Sequence, residues 1–399
     1  MGPDTGQIAD VLLPLKLDHP FSYRIRPEQS VNVGDIVRVS FGRRAEAGVV
    51  WRIHDAAPKA RLKPIEARLD LPPMGEAQRR FVQWMADYYV SDPGSVLRLF
   101  IRSRELLREI GDQRVWRLTG QRPARLTPQR ARVLAAAADA PPLSVTELAE
   151  LAGVSPSVVR GLIELGCFSE EHRPKAAPFA TPDPDRPRAA PLSAAQEEAA
   201  RRLRDKARQG GFCATLLDGV TGAGKTEVYF EAMAEALRHG RQVLLLVPEI
   251  ALTATFVRRV AERFGAEPAL WHSAQSGGSR IRVHRAVAAG EARIVVAARS
   301  GLFLPWRDLG LIVVDEEHES AYKQEGGVPY HGRDMAVVLA SLGRFPVILS
   351  SATPSLESLT NVERGKYDHV TLRERHGAAG LPAVRLLDLR RAPPEPGGW

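Results

Sequence analysis

In the stretch Asp218 to Phe230, DGVTGAGKTEVYF, an apolar run meets a glycine-rich turn and then an amphipathic segment, and few folds accept that order. Thr215 to Leu217 reads as a short strand and Glu227 to Leu237 as a helix. Between them Gly219, Gly224, Lys225 and Thr226 match G-x-x-x-x-G-K-[ST], with Gly222 inside the same curl. Successive backbone N–H groups and the positive end of the helix then surround one anion. Lys225 is placed to reach the β/γ oxygens of a nucleotide, and the Thr226 hydroxyl to take a place on Mg²⁺. ATP and Mg²⁺ are the expected ligands, and a parallel α/β sheet the expected frame.

A second motif supports that frame. In LIVVDEEHE, Leu311 to Glu319, an apolar strand ends in carboxylates, which is how a phosphate-loop NTPase presents its magnesium-side acid. Asp315 is expected to hold Mg²⁺ through water and Glu316 to polarise the attacking water. Further strands are expected at Val243–Val247, Ile294–Ala297 and Val347–Ser350, separated by helical stretches in a βαβ rhythm. SATP, Ser351 to Pro354, follows the last of these and lies 36 residues after Asp315. Its hydroxyls, those of Ser351 and Thr353, suit coupling of the γ-phosphate to a neighbouring segment, and His318 in DEEH is counted as a third coupling residue. PEIALT, Pro248 to Thr253, offers a helix N-terminus to a DNA backbone phosphate.

At 399 residues two to four domains are expected. The net charge is +8, with 47 Arg against 8 Lys. Arginine forks suit phosphate contacts and base stacking, so a nucleic-acid partner fits; base composition of the gene accounts equally well for the Arg excess, and both readings stand. Two cysteines, Cys167 and Cys213, without a C-x-x-C, give no zinc site and no disulfide framework. No run approaches the roughly 18 apolar residues of a bilayer span and no charged leader precedes an apolar core, which reads as cytoplasmic, with no membrane partner.

Residues 8 to about 70 carry short β-rich runs (Ile8–Leu15, Asp35–Phe41, Gly48–Ile53), followed by a helix over Glu76–Val90 whose Phe81, Trp84, Met85 and Tyr88 form a core face. Three helices follow at Pro128–Ala137, Val145–Leu151 and Pro156–Leu165, with Gly153 at a turn and Ser155 as N-cap: a helix-turn-helix pattern. Arg160 alone on its second helix argues against sequence-specific reading. Six prolines between Arg173 and Pro191 read as a linker.

Taken together, GVTGAGKTEVY, LLVPEIALT, WHS (Trp271–Ser273), ARSGLFLP (Ala298–Pro305), DEEHESAYKQE, YHGRD (Tyr330–Asp334) and SATPSLES resemble the superfamily-two DNA helicases, and among them the PriA family of bacterial replication restart (primosomal) proteins. The YKQE…YHGRD run is specific to that family, and Gln196 in LSAAQ is similar to its adenine-reading glutamine. An unrelated restriction-type translocase would share DEEH and SAT but not this run or the FSY and FGR segments.

The resemblance implies a multi-domain α/β chain. Residues 1–110 would form a β-rich domain that binds the 3′ end of DNA through Phe21, Gly42 and Lys63. Residues 111–172 would form a winged helix, 173–191 the linker, and 192–380 a first RecA-like helicase lobe. Tyr322, Tyr330 and Arg333 would contact DNA, and Lys225, Asp315 and Glu316 carry ATP hydrolysis. Branched and single-stranded DNA, primosome proteins and single-strand-binding protein are the implied partners. Unwinding in the 3′ to 5′ direction at an abandoned fork, opening a loading site for the replicative helicase, is the implied activity; the alternative is an ATP-binding but poorly hydrolysing fork-recognition scaffold. Ser22 stands where the family commonly has Asp, which implies weaker bonding to the terminal nucleotide. Residues 381–399 are expected to begin a second lobe whose arginine finger and zinc-binding cysteine pairs lie outside this sequence, leaving hydrolysis impaired and zinc unassigned. Fragment, truncated frame and natural short form all stay open.

Overall fold

The computed structural model describes residues 6–56, 62–101, 113–138, 140, 142–173, 179–275 and 277–375. The segment expected to begin a second lobe, 381–399, lies outside them. The first part is a five-stranded antiparallel sheet of β1 (Gly6–Leu12), β2 (Phe21–Arg24), β3 (Ile36–Phe41), β4 (Arg44–Ala56) and β5 (Ala67–Arg68), in the order β2-β1-β4-β3-β5. Alternation along the strands sends Ala9, Val11, Tyr23, Val37, Val39 and Val50 into one core. The pairing of β1 with β4 slips between Asp10 and Val11, and here Gly48 is required, because a Cβ on it would come within 2.6 Å of Val11 Cγ1.

Helices α1 (Glu76–Tyr88) and α2 (Pro93–Phe100) follow. Phe81 and Met85 are buried as expected. Tyr88 is not: it is 65% exposed and its ring stacks on Trp84 at 4.8 Å. Burying Phe81 and Met85 against the lobe turns the last helical turn outward. The helix closes with Ser91 N–H donating to Ala86 O and Val90 N–H to Asp87 O, which puts Val90 in the left-handed position (φ 48°) that glycine usually fills.

The middle unit packs α3 (Pro128–Ala138), α4 (Val145–Ala152) and α5 (Pro156–Glu164) around Val133, Leu148, Val159 and Leu162. Strands β6 (Gln113–Leu118) and β7 (Phe168–Arg173) pair antiparallel, joining the start of the unit to its end. Gly153 ends α4 at φ 61°. Ser155 precedes α5, but its Oγ bonds Ser157 Oγ at 2.7 Å and caps no helix N–H; the capping box belongs to Ser144 and Glu147 on α4.

The proline-rich stretch differs from a free linker. Asp183 N–H donates to Phe264 O, Arg238 grips Asp185 at 2.7 Å, and Arg263 donates to Arg186 O at 3.2 Å. Proline fixes the chain extended, so these few bonds hold residues 179–191 along the lobe.

The lobe is a seven-stranded parallel sheet. Its strands are β8 (Ala214–Gly219), β9 (Gln242–Leu246), β10 (Ala269–Trp271), β11 (Ile294–Ala297), β12 (Leu309–Asp315), β15 (Val347–Ser351) and β16 (Asp368–Leu372). The order is β10-β11-β9-β12-β15-β8-β16. Continuous apolar runs such as VLLL and IVV are buried on both faces, the mark of a sheet covered by crossover helices. Those helices are α6 (Ala194–Gln209), α7 (Lys225–Arg238), α8 (Ala254–Phe264), α9 (Gly277–Ala289), α10 (Gly332–Gly343) and α11 (Leu356–Glu363). A short hairpin, β13 (Lys323–Gln324) with β14 (Tyr330–His331), projects between β12 and α10. α1 docks on this lobe through Gln78, whose Nε2 donates to Leu304 O at 2.7 Å, and through Phe81 stacked on Phe303.

Candidate nucleotide and DNA site

Parallel register builds the centre of the site. Ser351 on β15 pairs with Asp218 on β8, and Ser350 with Asp315 on β12, so three adjacent strands end at one level. Ligands of open α/β sheets bind beyond such carboxyl ends. After β8 the chain curls through Gly222 (φ 80°) and Gly224 (φ 79°), and α7 starts at Lys225 with its first N–H groups facing the curl. Gly224 is fixed twice over, since a Cβ there would lie 2.3 Å from Gln196 Nε2. A cavity of about 480 Å³ opens above the loop, lined by Thr226, Asp315, Glu316 and Ala352 and closed on one side by Ala189 to Leu192 of the proline-rich stretch.

Lys225 Nζ donates to Gly219 O at 2.8 Å, spanning the loop where phosphate oxygens would sit. Gln196 is buried: its Oε1 accepts from Ser193 N–H at the start of α6, and its Nε2 donates to Ala223 O at 2.9 Å. It lines the cavity and at the same time fastens the loop at Ala223.

Burial pushes the Asp315 carboxyl above its ordinary range, against hydrogen bonds from Tyr229 Oη at 3.0 Å and from Glu316 N–H. Glu316 is raised by its own burial and by the charge of Asp315. Its backbone is left-handed at φ 47°, a strained state for a non-glycine residue. The Asp315 carboxylate and the Thr226 hydroxyl, both lining the cavity, are a hard-oxygen donor set that fits Mg²⁺, which takes one or two protein oxygens and completes its shell from phosphates and water. His318 Nδ1 lies 2.8 Å from Ser351 Oγ and 3.6 Å from Glu316 Oε2, and Thr353 N–H donates to Ser351 Oγ. The two motifs spaced 36 residues apart in the chain thus touch.

Tyr229, absent from the sequence reading as a site residue, stands one helical turn after Lys225, and that i, i+4 spacing was the available signal. Arg259 also lines the cavity, ion-paired to Glu227 at 2.8 Å; it comes from α8, and nothing local in the sequence marks it.

PEIALT forms a 3₁₀ turn over Glu249–Ala251, after which Thr253 caps α8. Glu249 accepts from Ser273, which brings PEIALT and WHS together. Arg299 of ARSG donates to Ala321 O, and so holds the segment after DEEH.

Three residues expected at a DNA surface are interior. Tyr322 is buried, its Oη donating to Leu246 O at 3.1 Å and Asp315 O at 2.6 Å. Tyr330 is buried edge-on to Phe303. Arg333 is buried against Glu317 at 3.1 Å. The aromatic and cationic composition of YKQE…YHGRD suggested exposure, but Tyr330 packs the hairpin on Phe303, Tyr322 bonds the ends of β9 and β12, and Arg333 anchors the start of α10 on Glu317.

On the β-rich sheet Phe21, Gly42 and Lys63 do converge. The Phe21 ring meets Phe41 edge-on at 5.1 Å, and Lys63 Nζ donates to Gly42 O at 3.2 Å and Ser40 Oγ at 3.4 Å. Ser22 points to the opposite face, where its Oγ donates to Asp10 at 2.7 Å beside Arg52 and His54.

Residues 10–102 match the family profile of a PriA 3′ DNA-binding domain (3′BD), and residues 193–362 that of a DEAD/DEAH box helicase. The chain is 33% identical over 398 residues to the replication restart protein PriA of Haemophilus influenzae, covering 96% of this chain and 54% of that one. It is 30% identical over 386 residues to that of Rickettsia conorii, covering 96% and 49%. The chain thus spans about half the length of the curated relatives it matches. Among solved structures, RecG bound to a three-way DNA junction is similar over 82% of this chain and 42% of that one, at 14% identity and a TM-score of 0.36.

Proposed function

The chain belongs to the PriA family of replication restart proteins, and from that premise we propose that it captures 3′ DNA ends at abandoned replication forks and couples this to ATP held on the loop at Gly219–Thr226. The observation that carries the reading is the alignment of Gly219, Asp315 and Ser351 at the ends of adjacent strands, with His318 bonded across to Ser351.

Lys225 leaves Gly219 O and takes the γ-phosphate, while the α7 N-terminus holds the β-phosphate. Thr226 and Asp315 would hold Mg²⁺, which when bound would supply neutralising charge for the phosphates. Glu316, its basicity raised by burial, orients and deprotonates the attacking water. Loss of the γ-phosphate changes what Glu316 and His318 face, and the His318–Ser351–Thr353 chain carries that change to α11. Phe21, Gly42 and Lys63 take the terminal nucleotide.

In the complete family member this drives 3′ to 5′ unwinding and opens a loading site for the replicative helicase, with primosome proteins and single-strand-binding protein as partners in the cytoplasm. The three-helix unit serves as a winged helix against branched DNA. Among the described residues no helix is long and apolar enough to cross a membrane.

The 399 residues themselves are assigned ATP binding with slow, DNA-stimulated turnover, because an arginine finger from a facing lobe contributes about 10³ to 10⁵ in rate to such sites. The test is ATPase with and without 3′-ended forks for the chain and for Lys225→Ala. Stimulation abolished by the substitution is the expected result. Robust strand separation by these residues alone overturns the slow-turnover assignment, and fork binding without any nucleotide effect favours the scaffold reading.

A further inference from the structure

A groove of about 1130 Å³ runs between the β-rich sheet, α2 and the tip of the β13–β14 hairpin. It joins the segment matching the 3′ DNA-binding profile to the segment matching the helicase profile, and neither comparison assigns it a role. Lys16, Arg44 and Arg98 line it, all exposed. Among the described residues none of the three side chains makes a hydrogen bond or ion pair.

On the adjoining sheet, by contrast, Arg38, Arg52 and Arg68 are paired to Glu66, Asp10 and Asp35. Two acids, Glu46 and Asp92, face the same groove without closing an ion pair on the cations, so the wall keeps a positive excess. Unpaired cations gathered in a concave surface repel one another and raise the local potential for an anion. The remaining wall is apolar, with Leu15, Leu99 and Val328. Val90, also on the rim, is 93% exposed and held in a left-handed backbone that a β-branched residue resists.

Position identifies the anion. Arg44 pairs across the β3–β4 turn with Phe41, whose ring packs on Phe21, and Lys63 reaches Gly42 in the same turn. The groove therefore begins where the Phe21–Gly42–Lys63 cluster ends. Its other end is the Gly326–Gly327 tip, where a Cβ on Gly327 would meet nothing within 4 Å, so a strand can approach the backbone closely. An open groove with cations and apolar surface side by side suits a polynucleotide, whose phosphates and bases need both.

We propose that this groove holds the single-stranded DNA immediately 5′ of the captured 3′ end, with its phosphates on Lys16, Arg44 and Arg98, and leads it to the helicase hairpin. The proposal rests on the 3′-end reading above, and the experiment separates the two.

Fluorescence anisotropy would compare short and long oligo-dT bearing a free or blocked 3′ hydroxyl, over a range of salt, with the 399-residue chain. The chain should gain affinity with length. Lys16→Ser, Arg44→Ser and Arg98→Ser combined should abolish that gain, and flatten the slope of log binding constant against log salt by about 2, three phosphates at about 0.7 each. Glu46→Gln should tighten binding of the long oligomer, a gain that loss of folding cannot mimic. A triple variant with the original length gain and salt slope overturns the proposal. A length gain that the triple variant loses while a blocked 3′ end binds as well as a free one leaves the groove standing and overturns 3′-end capture.

Discussion

Glu317 Oε2 and Arg333 Nη1 meet at 3.1 Å with 0% and 7% of their side chains exposed. Ser355 and Ser358 donate to the same carboxylate at 2.9 and 3.0 Å, and Ser355 N–H donates to its other oxygen at 2.7 Å. The pair thus ties the end of β12 to the starts of α10 and α11, directly beneath the SAT turn. Arg333→Ala removes the only cation paired to Glu317 among the described residues and leaves its charge buried, which costs about 3–5 kcal/mol. Urea unfolding should show that loss. Glu317→Gln with Arg333→Met should recover a large share of it, whereas an unchanged midpoint in Arg333→Ala would show the pair to be dispensable.

Gly224→Ala should abolish ATP binding with little loss of fold. The new Cβ must sit at φ 79° and within 2.3 Å of Gln196 Nε2, so either the loop opens or Gln196 leaves Ala223 O. Adding Gln196→Ala relieves the contact but not the backbone, whose strain is of order 1–3 kcal/mol. Titration with a fluorescent ATP analogue should therefore rank the chain well above the double variant, and the double variant above Gly224→Ala. Equal affinity for all three would mean that the loop adapts freely.

Ser22→Asp should destabilise this chain. Ser22 faces Asp10 directly across the β1–β2 pair, and their side chains bond at 2.7 Å. Burial works to raise Asp10, but hydrogen bonds from Ser22, Arg52 and His54 outweigh it and hold the carboxyl below its ordinary range. That stabilisation is present above the unfolded pKa and fades as pH falls through the folded one. A second carboxylate replaces a donor with a like charge, at about 0.2–1 kcal/mol for the cross-strand pair. Thermal melting at neutral pH should fall for Ser22→Asp and return when Asp10→Ser is added. A rise in the single variant would contradict this.

The features legible in the chain were those fixed by local order. The strand, loop and helix at 214–238 and the strands carrying Asp315 and Ser351 lie where periodicity put them, because a doubly covered parallel sheet demands unbroken apolar runs. Side-chain fate was less legible. Tyr322, Tyr330 and Arg333 have the composition of a DNA surface, yet burial is decided by what packs on them, here Phe303, Leu246 and Glu317 from distant segments. The contacts of residues 179–191 were invisible for the same reason: proline signals an extended chain but not the lobe beside it. Lys16, Arg44 and Arg98 are scattered over more than eighty residues, and only the fold brings them to one groove.

Asp315 connects the nucleotide site to stability through pH. Its carboxyl is raised mainly by burial, so ionising it at neutral pH works against the folded state. For a carboxyl whose folded pKa exceeds the unfolded one, the stabilising contribution is complete below the unfolded value and is lost as pH rises through the folded value. Asp315→Asn keeps an acceptor for Tyr229 Oη without the charge, so the variant should melt a few degrees higher than the chain at pH 7. The difference should shrink as the pH is lowered toward the ordinary carboxylate range, where both forms are neutral. Mg²⁺ with ATP should reverse the order, since a ligand stabilises only the form that binds it, and the aspartate is the form that does. Calorimetric melts of both proteins across pH, with and without Mg²⁺ and ATP, check each step; a variant that melts lower at pH 7 would mean that the ionised carboxylate is already compensated by its neighbours.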